Sequence, residues 1–278
     1  PSPALYIVGM PIGNAADITL RALWVLAKAD AIACEDTRET RKVLDRYGIR
    51  SQLLSVHEHN ERQAAETLID RLATGQRIAL VTDAGTPAVS DPGARAVQSV
   101  RAAGYRVIPV PGPSAVVAAL SAAGLSAYGF TFAGFMPPQS SARAKALAEL
   151  AGRKTAFALY ESPHRIRDLL EELGKQLGAG RRVVLAREVT KKFEEFSELR
   201  SEDLASFVTT LQPKGEYAIL VDEGADDAPA GLSDSDLKWI QSLEKLLPAS
   251  KLAAAAAKAT GASKDAIYRM LVSQKSHG

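Results

Sequence analysis

The sequence predicts an α/β protein in two folded parts followed by a basic pair of helices, and three observations predict it. Over residues 1–125, short apolar runs alternate with helical periods across short loops, the pattern of a parallel sheet covered on both faces. At Ser126–Pro138 (SAYGFTFAGFMPP) aromatic residues enter, and across 126–222 the strand signals become mixed, with an antiparallel portion. Residues 223–236 (EGADDAPAGLSDSD) are acidic, small and proline-containing, a linker by composition, and lead to a basic helical pair within 237–278.

Length and composition bound the function. A chain of 278 residues holds two medium domains, or one domain with an appendage. A net charge of +2 excludes the global basic field of a dedicated nucleic-acid binder, so any basic surface is local. Cys34, the one cysteine, lies in an apolar run and reads as packing; it excludes a disulfide framework and fits a reducing compartment. No apolar run approaches the ~20 residues that span a bilayer. The opening PSPALYIVG has no signal-peptide pattern, so the expected location is the cytoplasm.

Taken in order, Ala4–Gly9 (ALYIVG) is a short strand, MPIGNAADIT a loop, and LRALWVLAKA a helix with Leu20, Leu23, Trp24 and Ala27 on one face. Gly9 and Gly13 match neither G-x-G-x-x-G nor G-x-x-x-x-G-K-S/T, which argues against a dinucleotide or ATP held in the usual ways. Asp30–Cys34 is the next strand, with Glu35, Asp36, Thr37 and Arg38 at its exit and a helix toward Tyr47 beyond. Asp36 or Thr37 caps that helix, or the adjacent carboxylates Glu35 and Asp36 face a crevice; both readings are open. Gln52–Val56 is a strand with His57, Glu58, His59 and Asn60 at its end. Without a third ligand near by, this reads as a solvated loop before the helix Glu61–Thr74 and not as a metal site.

The chain is organised around Leu80–Ala96 (LVTDAGTPAVSDPGARA). A buried strand, Ile78–Thr82, breaks into small, polar and turn-forming residues before a helix resumes. In an open α/β sheet, ligands bind beyond the carboxyl ends of the strands. Asp91 as N-cap with Pro92 opening the next helix accounts for the second half of the loop. Asp83-Ala84-Gly85-Thr86-Pro87 is left over, and this favours a ligand loop.

After the helix Ala94–Ala103 and the strand Arg106–Val110, Pro111-Gly112-Pro113-Ser114 makes a stiff turn. The small residues Ala115, Ala118 and Ala119 then let a helix pack close to the sheet, with Ser114 at the edge that carries Gly85. The second half reads as a helix Ser141–Ala151, a strand Thr155–Tyr160, and a helix capped by Ser162 and opened by Pro163. Strands follow at Arg182–Arg187, at Phe193–Arg200 with an exposed character, and at Tyr217–Val221. In the last stretch SKLAAAAAKAT is a helix, Gly261 a turn, and SKDAIYRMLVSQK a helix capped by Ser263, a unit like a helix-turn-helix. From Lys245 onward there are five lysines and one arginine against one aspartate. Lys251, Lys258, Lys264 and Arg269, with Tyr268 among them, suit either a solvated appendage or contact with RNA phosphates.

Eight motifs in this order, VGMPIGNAADIT, CEDTR, VTDAGTPAVSDPG, PGPSA, GFMP, YESPHR, REVTK and GEY, resemble the bacterial small-subunit rRNA ribose methyltransferases of the tetrapyrrole methylase superfamily. The resemblance covers nearly the whole chain. It implies a two-domain tetrapyrrole-methylase-like α/β fold (a class III S-adenosylmethionine methyltransferase) with a C-terminal helix-turn-helix-like appendage. It also implies S-adenosylmethionine bound between the domains, a homodimer, and 2′-O-methylation of a cytidine in 16S rRNA of the small ribosomal subunit. Carried over by residue, it implies cofactor contacts from Ile12, Gly85, Thr86, Val89, Ser114, Ala115, Glu161 and Val189. Ile12, Asn14 and Thr86 depart from the family pattern of proline, aspartate and aspartate, and Asp83, a ninth candidate contact to the cofactor, could supply the carboxylate from three residues away.

Such a transfer has a neutral leaving group, so it requires alignment and no metal. A ribose hydroxyl is a poor acid, which makes a carboxylate useful as proton acceptor. Glu35 and Asp36 are the candidates, and Arg38 accompanies them; His164 is an alternative base or an orienting residue. Arg38, Arg165, Arg187 and Lys191 are the candidates for the phosphates around the target nucleotide. A C-methyltransferase acting on a tetrapyrrole precursor is the competing enzyme, and a non-catalytic ribosome-binding protein the competing non-enzyme. The basic helical pair favours RNA over a macrocycle, and the intact Gly85 loop favours an enzyme.

Overall fold

The computed structural model describes residues 1–57, 60–90, 93–125, 129–153, 155–224, 232–244 and 246–275. The chain forms two compact units, Pro1–Glu223 and Gly224–Gly278. The first unit opens with β1 (Ala4–Val8), α1 (Leu20–Lys28), β2 (Ala31–Cys34), α2 (Thr37–Arg46), β3 (Gln52–Ser55), α3 (Glu61–Ala73), β4 (Arg77–Leu80), α4 (Ala94–Ala102) and β5 (Val107–Val110). Its strands pair in the order β3-β2-β4-β1-β5, all parallel. Neighbouring residues of one strand point to opposite faces. Tyr6, Ile32 and Ala79 therefore meet Val25 and Leu26 of α1 and Leu44 of α2. Leu5, Ala33 and Ile78 meet Leu68 and Leu72 of α3 and Val100 of α4. Both faces are covered, which explains the near-continuous apolar runs.

The same unit continues through α5 (Ala115–Ala123), β6 (Phe130–Phe135), α6 (Ser140–Gly152), β7 (Ala156–Glu161), α7 (Ile166–Gln176), β8 (Arg182–Arg187), β9 (Glu195–Arg200), α8 (Leu204–Thr210) and β10 (Tyr217–Val221). The second sheet has the order β6-β7-β10-β8-β9, with β6 and β7 parallel and the other pairs antiparallel. Helices α6, α7 and α8 cover one face. The other face is covered by α5, whose Val116, Ala119 and Ala123 pack on Ala158, Val184, Ala186 and Ala218. The small residues of α5 thus bring it close to the second sheet, not to the first sheet from which it departs.

Two local expectations change, and others fall outside the described residues. The helix foreseen from Pro163 starts at Ile166, because Ser162–Arg165 forms a turn in which the Ser162 carbonyl accepts the N–H groups of Arg165 and Ile166. Phe193 precedes β9 in a turn. Asp91 and Pro92, expected to cap and open α4, lie outside the described residues, as does His59 of the histidine pair. Helix α4 has Gly93 at its N-cap, and the Gly93 N–H donates to Glu61 Oε1 at 2.6 Å.

The unit Gly224–Gly278 holds α9 (Asp234–Leu243), α10 (Ala249–Thr260) and α11 (Lys264–Lys275) around a core of Ile240, Leu252, Ala256, Ile267 and Leu271. The first of these helices begins inside the stretch read as linker. The Ser233 and Asp236 side chains form a reciprocal capping box there. Gly261, at φ 78°, ends α10, and Ser263 Oγ accepts the Ala266 N–H of α11. No described helix is long and apolar enough to cross a membrane.

One side chain ties the second sheet to its helices. The buried Arg181 guanidinium donates to the carbonyls of Asp222 at 2.8 Å, Ala151 at 3.0 Å and Thr155 at 2.7 Å. It also stacks over Phe157. These carbonyls follow β10, end α6 and precede β7. An unpaired buried carbonyl costs about 1–3 kcal/mol. Arg181→Met is therefore expected to lower stability by about 3 kcal/mol or more, measured as a fall in the urea midpoint at unchanged slope.

Candidate active site

Three loops meet at the carboxyl ends of β1, β4 and β5. Met10 and Gly85 exchange backbone hydrogen bonds at 2.8 and 3.1 Å. Gly9 and Gly112 touch backbone to backbone, so a Cβ on Gly112 would stand 2.8 Å from the Gly9 Cα. Thr86 Oγ1 donates to the Pro113 carbonyl at 3.1 Å. A floor is thus made almost wholly of main chain, which is why the sequence there is so rich in Gly and Pro.

Ser114 then starts α5, and the second sheet supplies the opposite wall. The Val116 N–H in the first turn of α5 donates to Tyr160 Oη at 2.8 Å, which seats the helix N-terminus against β7. Between the walls lies a cleft of about 320 Å³. Ile12, Gly85, Thr86, Val89, Ser114 and Ala115 line it from the first side. Tyr160, Glu161, Ala186, Val189 and Lys191 line it from the second. Among the described residues, those other than glycine with positive φ are Ala88, Ser90, Glu188 and Thr190, on the two loops that face each other across this cleft. Strain of this kind collects at functional sites. A contact between Thr190 Oγ1 and the Asp17 carboxylate joins the two loop systems, and the Lys191 stem occupies the space a side chain on Gly13 would need.

Glu161 is the most constrained group of the cleft. Its side chain is fully buried, and Oε1 accepts the Ser162 N–H and the Arg165 Nε–H, each at 2.8 Å. Oε2 is buried and has no partner. A buried acceptor without a donor is costly, so this oxygen fits a ligand that brings a donor into the cleft.

Of the nine residues expected to face the cofactor, Ile12, Gly85, Thr86, Val89, Ser114, Ala115, Glu161 and Val189 line this one cleft. Asp83 does not line it but directly precedes Ala84, which does. Glu35, Asp36 and Arg38 stand beside it at the end of β2, where the Asp36 N–H donates to Asp83 Oδ1 at 3.4 Å. The capping alternative describes Asp36: its carboxylate accepts the N–H groups of Arg38 and Glu39 and pairs with the Arg38 guanidinium at 3.0 Å. Those hydrogen bonds hold its carboxyl down at about 2. Glu35, half-buried, is pushed the other way by desolvation and by the charges of Asp83 and Asp36.

The arginines and the lysine expected on phosphates are engaged elsewhere. Arg165 clamps Glu161 and donates to the Met136 carbonyl at 3.1 Å. Arg187 pairs with Glu195 at 2.8 Å, and Lys191 bridges Glu188 and Glu216 at 2.9 and 2.8 Å. In the smaller unit Lys251, Lys258 and Lys264 are exposed; the Arg269 side chain lies outside the described set. Among the described residues, no three of His, Cys, Asp and Glu stand together as a metal site. Sequence reasoning missed Tyr160 as the anchor of α5, and Glu216, Tyr217 and Ala218 as cleft residues. The GEY motif was the available signal, but its place beside β7 and β8 arises only from long-range pairing.

A family profile, Tetrapyrrole (Corrin/Porphyrin) Methylases, matches residues 4–205. The chain belongs to this family. Similar relatives include the ribosomal RNA small subunit methyltransferase I of Vibrio cholerae, 45% identical over 96% of this chain and 94% of that one. That of Mesorhizobium japonicum is 46% identical over 98% and 92%, and that of Escherichia coli O157:H7 45% identical over 98% and 95%. Among solved structures, a cobalt precorrin-4 methyltransferase superposes with a TM-score of 0.59 at 22% identity, over 79% of this chain and 95% of that one. A Thermus thermophilus uroporphyrin-III C-methyl transferase complexed with S-adenyl homocysteine gives 0.55 at 19% identity, over 80% and 97%. Those two likenesses establish the fold.

Proposed function

We propose that this protein uses S-adenosylmethionine to methylate the ribose 2′-hydroxyl of a cytidine in 16S rRNA of the small ribosomal subunit. The observation that carries the reading is identity near 45% along almost the entire chain, smaller unit included, with relatives named ribosomal RNA small subunit methyltransferase I. The cleft suits the cofactor: Glu161 Oε2 awaits a donor, and the α5 N-terminus at Ser114 and Ala115 offers backbone N–H groups to a carboxylate. S-adenosylmethionine would supply an electrophilic methyl group.

The chain's own residues do the rest. The glycine-rich floor and α5 hold the reactants in fixed relation, and alignment of this kind is worth roughly 7–11 kcal/mol. Glu35 accepts the proton of the ribose hydroxyl; Asp36, held near 2 by its partners, is too weak a base and instead shapes the site by capping α2. The exposed Lys251, Lys258 and Lys264, with Arg269, contact RNA phosphates. On this reading the protein acts in the cytoplasm as a homodimer.

Incubation with labelled S-adenosylmethionine and small subunits that lack ribose methylation, followed by digestion to nucleosides, is expected to place the label in 2′-O-methylcytidine. Label in a base, or none in RNA, refutes the proposal. Glu35→Gln is expected to slow transfer about a hundredfold or more at neutral pH with cofactor affinity retained. A protonated Glu35 cannot accept a proton, and its carboxyl is raised. The wild-type rate should therefore fall as pH drops through a midpoint above the ordinary glutamate range, and a profile flat through mildly acidic pH would exclude Glu35.

A further inference from the structure

A second cavity, about 270 Å³, lies behind the cleft on the opposite face of the second sheet. Strand alternation puts it there: Ala186 and Ala218 face the cleft, while Leu185 and Arg187 face the second cavity. Phe207 and Tyr217 give it aromatic walls, and Arg187, Glu195, Ser197 and Gln212 give it polar ones. The Arg187 guanidinium is half used. One terminal nitrogen pairs with Glu195 Oε2 at 2.8 Å, and the buried Nε–H has no acceptor. With a carboxylate beside the guanidinium, the polar wall is close to neutral, which disfavours an anion. It presents a donor next to an acceptor, the complement of the Watson–Crick edge of a nucleobase.

The loops that join its lining residues support a nucleic-acid occupant. Lys192 and Phe193 lie in the loop from Arg187 to Glu195, and Phe193 is 64% exposed. The Lys192 ammonium stands 5.5 Å from the Phe193 ring centroid. Lys214, in the loop from Gln212 to Tyr217, is also exposed. Exposed aromatics among cations are the surface on which single strands stack.

We infer that this second cavity holds one unpaired nucleobase of the RNA substrate, Arg187 Nε donating to the base edge and Glu195 accepting from it. The inference rests on the RNA-methyltransferase reading. The base must be unpaired, because pairing would occupy the edge that Arg187 and Glu195 contact. Tyr217 lines both spaces, so a base held here sits one strand away from the cleft.

The test saturates the protein with S-adenosylhomocysteine and titrates CMP, UMP, AMP and GMP while arginine Nε–H signals are followed by nitrogen-15 NMR. The signal that disappears in Arg187→Lys is expected to shift with at least one nucleotide. Arg187→Lys is also expected to raise KM for small subunits about tenfold without changing affinity for S-adenosylhomocysteine. Gln212→Ala, at an exposed position, should raise KM in the same direction. A signal indifferent to all four nucleotides, or a wild-type KM in both variants, overturns the inference. If the wild type fails to methylate small subunits, the functional reading falls and the nucleotide titration decides the cavity by itself.

Discussion

Helix α5 leaves the end of one sheet and buries its side chains against the other, and the cleft exists because of that crossing. A helix that turned back onto its own sheet would need side chains large enough to fill the space above β5. Val116, Ala119 and Ala123 instead match the small residues Ala158, Ala186 and Ala218 of the second sheet. The bond from Val116 N–H to Tyr160 Oη sets the position of the helix start. The Gly9–Gly112 approach and the Met10–Gly85 bridge then fix the loops around it. A cleft walled by two sheets and floored by main chain leaves few side chains free to move.

The carboxylates around this space divide their work by environment. Asp36 is spent on a helix cap and on Arg38. Glu61, on α3, receives the N–H of Gly93 and so holds the end of the long loop that follows β4. Glu161 is pinned through one oxygen and open through the other. Glu35, between solvent and core, is left with a raised affinity for protons. Carboxylates thus serve as cap, as anchor and as open acceptor, or keep a raised affinity for protons, and what separates them is which donors the backbone places near by.

Much of the architecture was legible in the residues. Apolar runs followed by glycine- and proline-containing turns marked β1, β4 and β5, and the parallel first sheet follows from their alternation with helices. Glycine and proline at 85, 87, 112 and 113 marked the loops; Gly112 meets the Gly9 backbone too closely for a side chain, and Gly85 has a φ of 78°. Three things were hidden. The partner of α5 was invisible because an alanine-rich helix carries no signal for which sheet it will cover. Tyr217 and Ala218 became site residues only through antiparallel pairing with strands thirty or more positions away. The fate of Arg165, Arg187 and Lys191 was invisible too, since a cation's partner is set by three-dimensional neighbours and not by spacing along the chain.

The proposed function requires the space between the two sheets, completed by Glu161, to be the cofactor site. Calorimetric titration of S-adenosylhomocysteine into the wild type and into Glu161→Ala tests it most directly, with thermal melts of both to establish that each is folded. The account predicts binding at one site in the wild type and affinity about tenfold weaker or worse in the variant, the loss of one hydrogen bond to a charged group. A folded Glu161→Ala protein that binds as tightly as the wild type would contradict it.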